Sequence, residues 1–266
     1  MQHTDHRRKP LGRLICTLAA ILVILCVCAV VSELYLNARP EAGTVEERIW
    51  LYARENGFSL RDYPKSLIEL LKKNPETERF VLEYPAAKDN SPAVDITQYL
   101  HTEQVPLFMQ WDPRWGYMTY GSDVAGLTGC GPVCLSMAAV YVTDDPTFSP
   151  DKMIQFALDN NYYVPGSGSS WTLISEGGIK LGLDVTELPL DEGRICKALN
   201  AGMPVICAMG AGDFTTTGHF IVITGIRDGK FTVNDPNSLK NSEMLWSYDT
   251  IKSQIRNLWS VGVGDT

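Results

Sequence analysis

Read as a pattern of apolar and polar positions, the chain changes texture twice. Leu14 to Ser32 is an uncharged apolar run, LICTLAAILVILCVCAVVS, with no polar face. At ~1.5 Å per helical residue it reaches about 28 Å, close to the hydrocarbon thickness of a bilayer. After a short linker over 35–43, helical spacing appears. Thr44 is placed to cap a helix carrying Ile49, Trp50 and Tyr52. A second helix starts near Pro64–Ser66, runs through Leu67, Ile68, Leu70 and Leu71, and stops before Pro75, with a further turn over 76–82. These residues form a small helical preface, 35–104 with the linker included.

From Val105 onward the pattern is mixed. An aromatic, turn-rich stretch, VPLFMQWDPRWGYMTYG, leads to GCGPVCLSMAAVYV, a glycine turn followed by an apolar helix. Ser149-Pro150-Asp151 reads as a helix start. Ser169 or Ser170 is expected to cap a helix continuing to Leu181, and Asp191 one that ends at Gly202. Asp184–Leu188, PVICAMG, GHFIVITGI and KFTVNDP are strand-like, with Asp228-Gly229 as a hairpin turn between the last two. Tyr248–Asn257 predicts a final helix, and Leu258–Val261 a short strand. Helices precede an antiparallel sheet, so the expected class is α+β.

Charge refines this picture. The 266 residues carry a formal charge of −8, spread unevenly. Arg7, Arg8, Lys9 and Arg13 stand before the apolar run against Asp5 alone, giving +3 there and −11 after it. The positive-inside rule places residues 1–13 in the cytoplasm, a transmembrane helix at 14–34, and 105–266 outside the cell as the main domain. A cleaved signal peptide is the rival reading, but its apolar core is usually shorter, about 7–15 residues. An outer domain this acidic is a poor partner for nucleic acid. No nucleotide-cradling glycine loop or zinc-finger spacing is present.

Candidate chemistry centres on Cys130. It lies between two glycines with Pro132 in the first helical turn. A cysteine at a helix N-terminus has its thiolate favoured by the helix dipole and free N–H groups. A buried core cysteine fits the same position. His219 heads an apolar strand and is one of only four histidines; it is a candidate general base or a structural residue. Asp235 ends the neighbouring strand, where it could fix the imidazole tautomer or simply form a turn with Pro236 and Asn237. Gln110 is the best upstream amide for an oxyanion donor, although it stands 20 residues before Cys130.

In family order, VPLFMQWDPRWG, GCGPVCLSMA, AGMPVICA, GHFIVITG and VNDPN resemble the C39-like peptidases, a branch of the papain-like cysteine peptidases. The resemblance spans about Val105 to Val261. It implies Cys130 as nucleophile, His219 as base, Asp235 as orienter and Gln110 as oxyanion donor. It also implies a papain-like fold, a peptide or protein substrate and no cofactor or metal. Transporter-fused members cleave double-glycine leader peptides; this chain has one expected span and no nucleotide-binding loop, so that task does not carry over. Its layout is similar to anchored, stand-alone chains of Gram-positive bacteria.

Three functions compete on this reading. The first is peptide hydrolysis. The second is acyl transfer through the same thioester. The third is peptide binding without cleavage, served by Trp111, Trp115, Tyr117 and Tyr120 near the expected cleft. Loops 112–128, 160–170 and 210–218 are expected to line that cleft. Cys134 is expected in the core, and Cys196 with Cys207 either as a disulfide or as core residues. A zinc site from Cys130, Cys134 and His219 lacks a fourth ligand.

Overall fold

A computed structural model describes residues 9–36, 39–90 and 92–264. Residues 1–8 of the expected cytoplasmic segment, and 37–38 of the linker, lie outside the described residues. The chain divides into two compact units, 1–62 and 63–266.

In the first unit, helix α1 spans Lys9–Leu36. Its side chains are described over 14–28, where all are exposed. That stretch is about 22 Å long as a helix. Among the described residues no helix is long and apolar enough to cross a membrane. Helix α2 (Val45–Glu55) starts where the sequence places it. The Thr44 side chain accepts from the Glu47 N–H at 3.1 Å, satisfying one of the donors a helix leaves free at its start.

The second unit opens with α3 (Lys65–Lys73) and α4 (Glu78–Ala87). The latter continues past the expected end at 82 and contains Pro85. Phe80 from α4 stacks on Tyr117, with ring centroids 4.4 Å apart. Tyr84, beside Pro85, also meets Tyr117, with ring centroids 6.1 Å apart, so aromatic packing holds both ends of the helix around the proline. Residues 63–104 of the preface thus belong to the same compact unit as the domain that follows.

Strands β1 (Thr119–Tyr120) and β2 (Asp123–Val124) make a small hairpin before α5 (Ala125–Thr128). Helix α6 (Cys130–Thr143) is apolar all round, and ten of its residues from Gly131 to Val140 are buried. A helix without a polar face must lie inside, and α6 is the centre of one core, with Met153, Ile154 and Ala157 of α7 (Pro150–Asp159) beside it. Pro150 sits in the first turn of α7, as its spacing from Ser149 predicts. Strands β3 (Tyr163–Val164) and β4 (Gly168–Ser169) form a second hairpin. Ser169 belongs to this strand, so the capping role falls to Ser170, whose Oγ accepts from the Thr172 N–H. A π-turn over Leu173–Gly177 then leads into α8 (Gly178–Lys180).

The remaining strands are β5 (Leu183–Glu187), β6 (Val205–Met209), β7 (His219–Arg227), β8 (Lys230–Asn234), β9 (Leu245–Trp246) and β10 (Ile255–Val263). Helix α9 (Glu192–Asn200) follows β5, and α10 (Leu239–Glu243) and α11 (Tyr248–Ile251) flank β9. All six strands join one antiparallel sheet in the order β5-β10-β6-β7-β8-β9. One face, with Ile206, Ala208, Phe220, Val222 and Trp259, packs on α6; the other packs on α9 through Ile221, Ile223 and Ile195. Asp228 and Gly229 both take positive φ, 54° and 69°, as a two-residue hairpin with a primed turn requires.

The expected helix over 248–257 is corrected. Only Tyr248–Ile251 is helical, and Ile255 already pairs with Met209 in β10. Tyr248, Ile251 and Ile255 have helical spacing, but 255–263 fills the sheet between β5 and β6, where two neighbours supply its backbone bonds. Those pairings outweigh local periodicity.

Candidate active site

The α6 N-terminus and the head of β7 meet at one cleft of about 270 Å³. Cys130 is the first residue of α6 and is half-buried. His219 opens β7, and Asp235 follows β8. The β7–β8 hairpin brings these last two together: His219 Nε2 and Asp235 Oδ1 are 2.7 Å apart, with the His219 side chain 8% and the Asp235 side chain 1% exposed. Asp235 is itself held. Its Oδ1 accepts from the Asn237 N–H at 2.9 Å and its Oδ2 from Asn241 Nδ2 at 2.8 Å, while its own N–H donates to Ser242 Oγ. Asp235-Pro236-Asn237 is therefore both a turn and a carboxylate anchor.

With Nε2 committed to Asp235, Nδ1 is the ring atom left for the Cys130 thiol. Burial disfavours charge on the imidazole and is the largest single influence. The Asp235 charge and hydrogen bond, with an interaction in which the ring donates to Cys130, outweigh it and push His219 up to about 10. The ordinary value is 6.5. A raised folded-state value stabilises the fold fully below pH 6.5 and loses that contribution as pH rises through about 10. Equilibrium urea denaturation across pH 6–10.5 is expected to show this decline in the wild type and not in a His219→Gln variant. Equal profiles would remove the argument.

The other cysteines differ in environment. Cys134 and Cys207 are fully buried, and burial pushes both thiols well up. Burial raises Cys196 as well, with Glu192 adding to it. Cys130, Cys134, Cys196 and Cys207 are all free thiols, so the Cys196–Cys207 disulfide alternative gives way to core positions. Among the described residues no group of three or more metal-ligating side chains gathers.

Gln110 is buried and is not among the residues that line the cleft. Its Nε2 donates to the Gly126 carbonyl at 2.9 Å, and its backbone N–H donates to the Pro236 carbonyl at 2.7 Å. Its Oε1 is buried without a hydrogen-bond partner. One residue thus ties the turn before Cys130 to the turn after Asp235. The aromatic residues expected near the cleft take other positions. Trp115, Tyr117 and Tyr120 are buried, and Trp111 Nε1 donates to the Asn237 carbonyl at 3.2 Å. The cleft wall comes instead from Ser167, Ser169 and Trp171 on one side and Gly210, Thr217 and Gly218 on the other. Loops 160–170 and 210–218 therefore line it as expected, and 112–128 contributes no wall.

Ser169 is fixed by a 2.7 Å hydrogen bond to the Tyr120 hydroxyl. It also crowds Gly131: a Cβ built there would sit 2.6 Å from Ser169 Cβ and Oγ. Glycine after the cysteine is required for the β3–β4 hairpin to close over the helix start. Gly131→Ala is expected to cost about 1–3 kcal/mol through overpacking. Adding Ser169→Gly should recover part of that loss in urea denaturation; strict additivity of the two changes would mean the contact is not the cause.

A cysteine-headed helix packed on an antiparallel sheet that carries the histidine and carboxylate defines a papain-like cysteine peptidase fold. The chain belongs to the Peptidase_C39 like family, whose model matches residues 102–262. Among solved structures it is similar to the peptidase domain of Streptococcus ComA, a bi-functional ABC transporter involved in quorum sensing. That likeness has 16% identity and a TM-score of 0.40, covering 52% of this chain and 93% of that one. It is also similar to a C39-like peptidase from Bacillus anthracis, at 15% identity and a TM-score of 0.37, covering 62% of this chain and all of that one. No curated protein matches the chain.

Proposed function

We propose that this chain is a cysteine peptidase, with Cys130 as nucleophile, His219 as acid and base, and Asp235 as the group that orients His219. The observation that carries this is the buried 2.7 Å His219–Asp235 bond in the cleft that also holds Cys130. The Cys130 thiol gives its proton to His219 Nδ1 as the sulfur attacks the peptide carbonyl, forming a C–S bond while the carbonyl π electrons move to oxygen. His219 then gives that proton to the leaving amine as the carbonyl re-forms and the C–N bond breaks. Water attacks the thioester, its proton passes to His219, the C–S bond breaks, and the carboxylic acid leaves a Cys130 thiolate beside protonated His219. The oxyanion takes the Cys130 backbone N–H, at the helix turn where donors lack intrahelical acceptors.

The test is site-mapped alkylation by iodoacetamide near neutral pH, together with cleavage of a peptide mixture. Cys130 is expected to react faster than Cys134, Cys196 and Cys207 in the native protein. His219→Ala should slow that reaction, and peptides should be cut only by protein with an intact Cys130. A Cys130 no more reactive than the buried thiols, with no peptide cut, would falsify the assignment.

The same proposal includes location: the uncharged Leu14–Ser32 run, which extends past the described side chains of α1, holds the chain in the cell membrane, with the N-terminus cytoplasmic and the peptidase domain outside. The uncharged Leu14–Ser32 sequence and the +3 charge before it support this. Alkaline carbonate should leave the full chain in the membrane pellet and release a variant lacking residues 1–36. Release of both sinks the anchor.

A further inference from the structure

The β10 strand contains an irregularity beside the cleft. Ile255 pairs with Met209, while Asn257 pairs with Ala208, so one residue of β10 has no partner on β6. That residue is Arg256. Ile255 and Asn257 would share a face in a regular strand. Their partners Met209 and Ala208 are neighbours in β6 and point to opposite faces, so the strand switches sides within one residue. Bulges of this kind re-aim a side chain, often next to active sites.

The re-aimed guanidinium lines the cleft with Cys130 and His219. It lies over Gly210: a Cβ on that residue would fall 2.8 Å from Arg256 Cζ. The bare backbone at 210 is what lets the arginine lie there. The Gly210 N–H donates to the Gln254 carbonyl at 2.7 Å, and the Asp213 N–H donates to Gln254 Oε1. The 210–213 loop is therefore pinned beside the bulge.

The guanidinium has spare donors. Nη1 donates to the Ser253 carbonyl at 2.9 Å, and Arg256 forms no ion pair among the described residues. Asp213, the acidic group on the neighbouring loop, already accepts from Gln254 Nε2 at 2.7 Å. In a chain with net charge −8, an arginine in the cleft without a carboxylate partner stands out. Guanidinium offers a planar fork of N–H groups that matches a carboxylate in two parallel bonds.

We infer that Arg256 is a specificity residue that binds a carboxylate of the peptide substrate. This rests on the peptidase assignment for the word substrate, and on the cleft geometry alone for the binding. Register fixes the distance scale. His219 pairs with Met209, and Met209 with Ile255, so two strand spacings separate His219 from the bulge. That is about 10 Å, or about three residues of extended peptide. The carboxylate is therefore within about three residues of the scissile bond. It comes from an aspartate or glutamate side chain, or from the C-terminus of a short substrate.

The test measures binding of octapeptides to the full-length Cys130→Ala protein in detergent, so that nothing is cut. Three versions are compared: a single glutamate scanned along an amidated peptide, the glutamine counterpart, and the glutamine peptide with a free C-terminus. The expected result is about tenfold tighter binding of one carboxylate-bearing version. Adding Arg256→Gln abolishes that preference, and raising salt weakens it. Preference for the glutamate version identifies a side chain as the source; preference for the free acid identifies the terminus. Equal binding of all three, no detectable binding, or a preference that survives Arg256→Gln overturns the inference. Cleavage by the wild type is scored separately. Arginine-dependent binding without any cleavage sinks the peptidase assignment and leaves this site standing.

Discussion

Cys130→Ala is expected to remove peptide turnover, lowering kcat on the order of 10⁵–10⁶-fold, the scale seen when a protease loses its nucleophile. The size follows from the absence of a substitute. Cys134 lies one turn further into α6 but is fully buried with its thiol pushed up by burial. No other thiol lines the cleft. His219 with Asp235 can still activate water, so the residual rate will sit above the uncatalysed one. Stability should change little, by ~1 kcal/mol or less, because Cys130 is half-buried and alanine suits a helix start. Single-turnover cleavage and urea denaturation of the same preparation separate the two effects. Turnover within tenfold of wild type would remove Cys130 from the chemistry.

Asp235→Ala carries the second large effect, and it falls on both stability and rate. The change deprives His219 Nε2, the Asn237 N–H and Asn241 Nδ2 of their acceptor at once. Breaking a buried charged pair by deleting one partner typically costs about 3–5 kcal/mol. That is a large share of a domain's stability, so the variant should denature at distinctly lower urea. Asp235→Asn keeps the shape and isolates the electrostatics. Burial then acts on His219 with no carboxylate against it, so the imidazole value should fall. Turnover should drop by about 10²–10⁴-fold, the usual worth of acid–base assistance. NMR titration of His219 checks the cause. An unshifted imidazole in Asp235→Asn protein would mean the carboxylate is not what raises it.

How much of this was legible beforehand depends on the residue. The Cys130 helix start announces itself through flanking glycines and Pro132, all close in sequence. The His219–Asp235 pair was readable because one two-residue turn, Asp228-Gly229, joins their strands, although a one-residue shift between Ile223 and Gly225 sets the final register. The α+β class and the antiparallel sheet followed from the same local patterns. Positions set by distant packing were not readable. Tyr117 reads as an exposed aromatic until Phe80, 37 residues away, is seen beneath it. Trp171 lines the cleft because its ring stands edge-on to Trp259, on the far side of the sequence. Arg256 was hidden most completely. Its segment has helical spacing, and a polar residue there looks like a solvated helix face. Only pairing with β6 turns it into a bulge, and no local signal encodes a bulge.

The β7–β8 hairpin also bears on how the protein acquires its reactivity while it folds. His219 and Asp235 are 16 residues apart in the chain, so their contact needs only a short loop to close and can form early. Cys130 belongs to a different layer and joins them only when α6 docks on the finished sheet. A chain part-way to its native state therefore holds a ready imidazole–carboxylate couple and an idle thiol. The proposed site is thus complete only after that packing step. Enhanced alkylation at Cys130 during refolding is expected to appear together with burial of the α6 core, and not with formation of the hairpin.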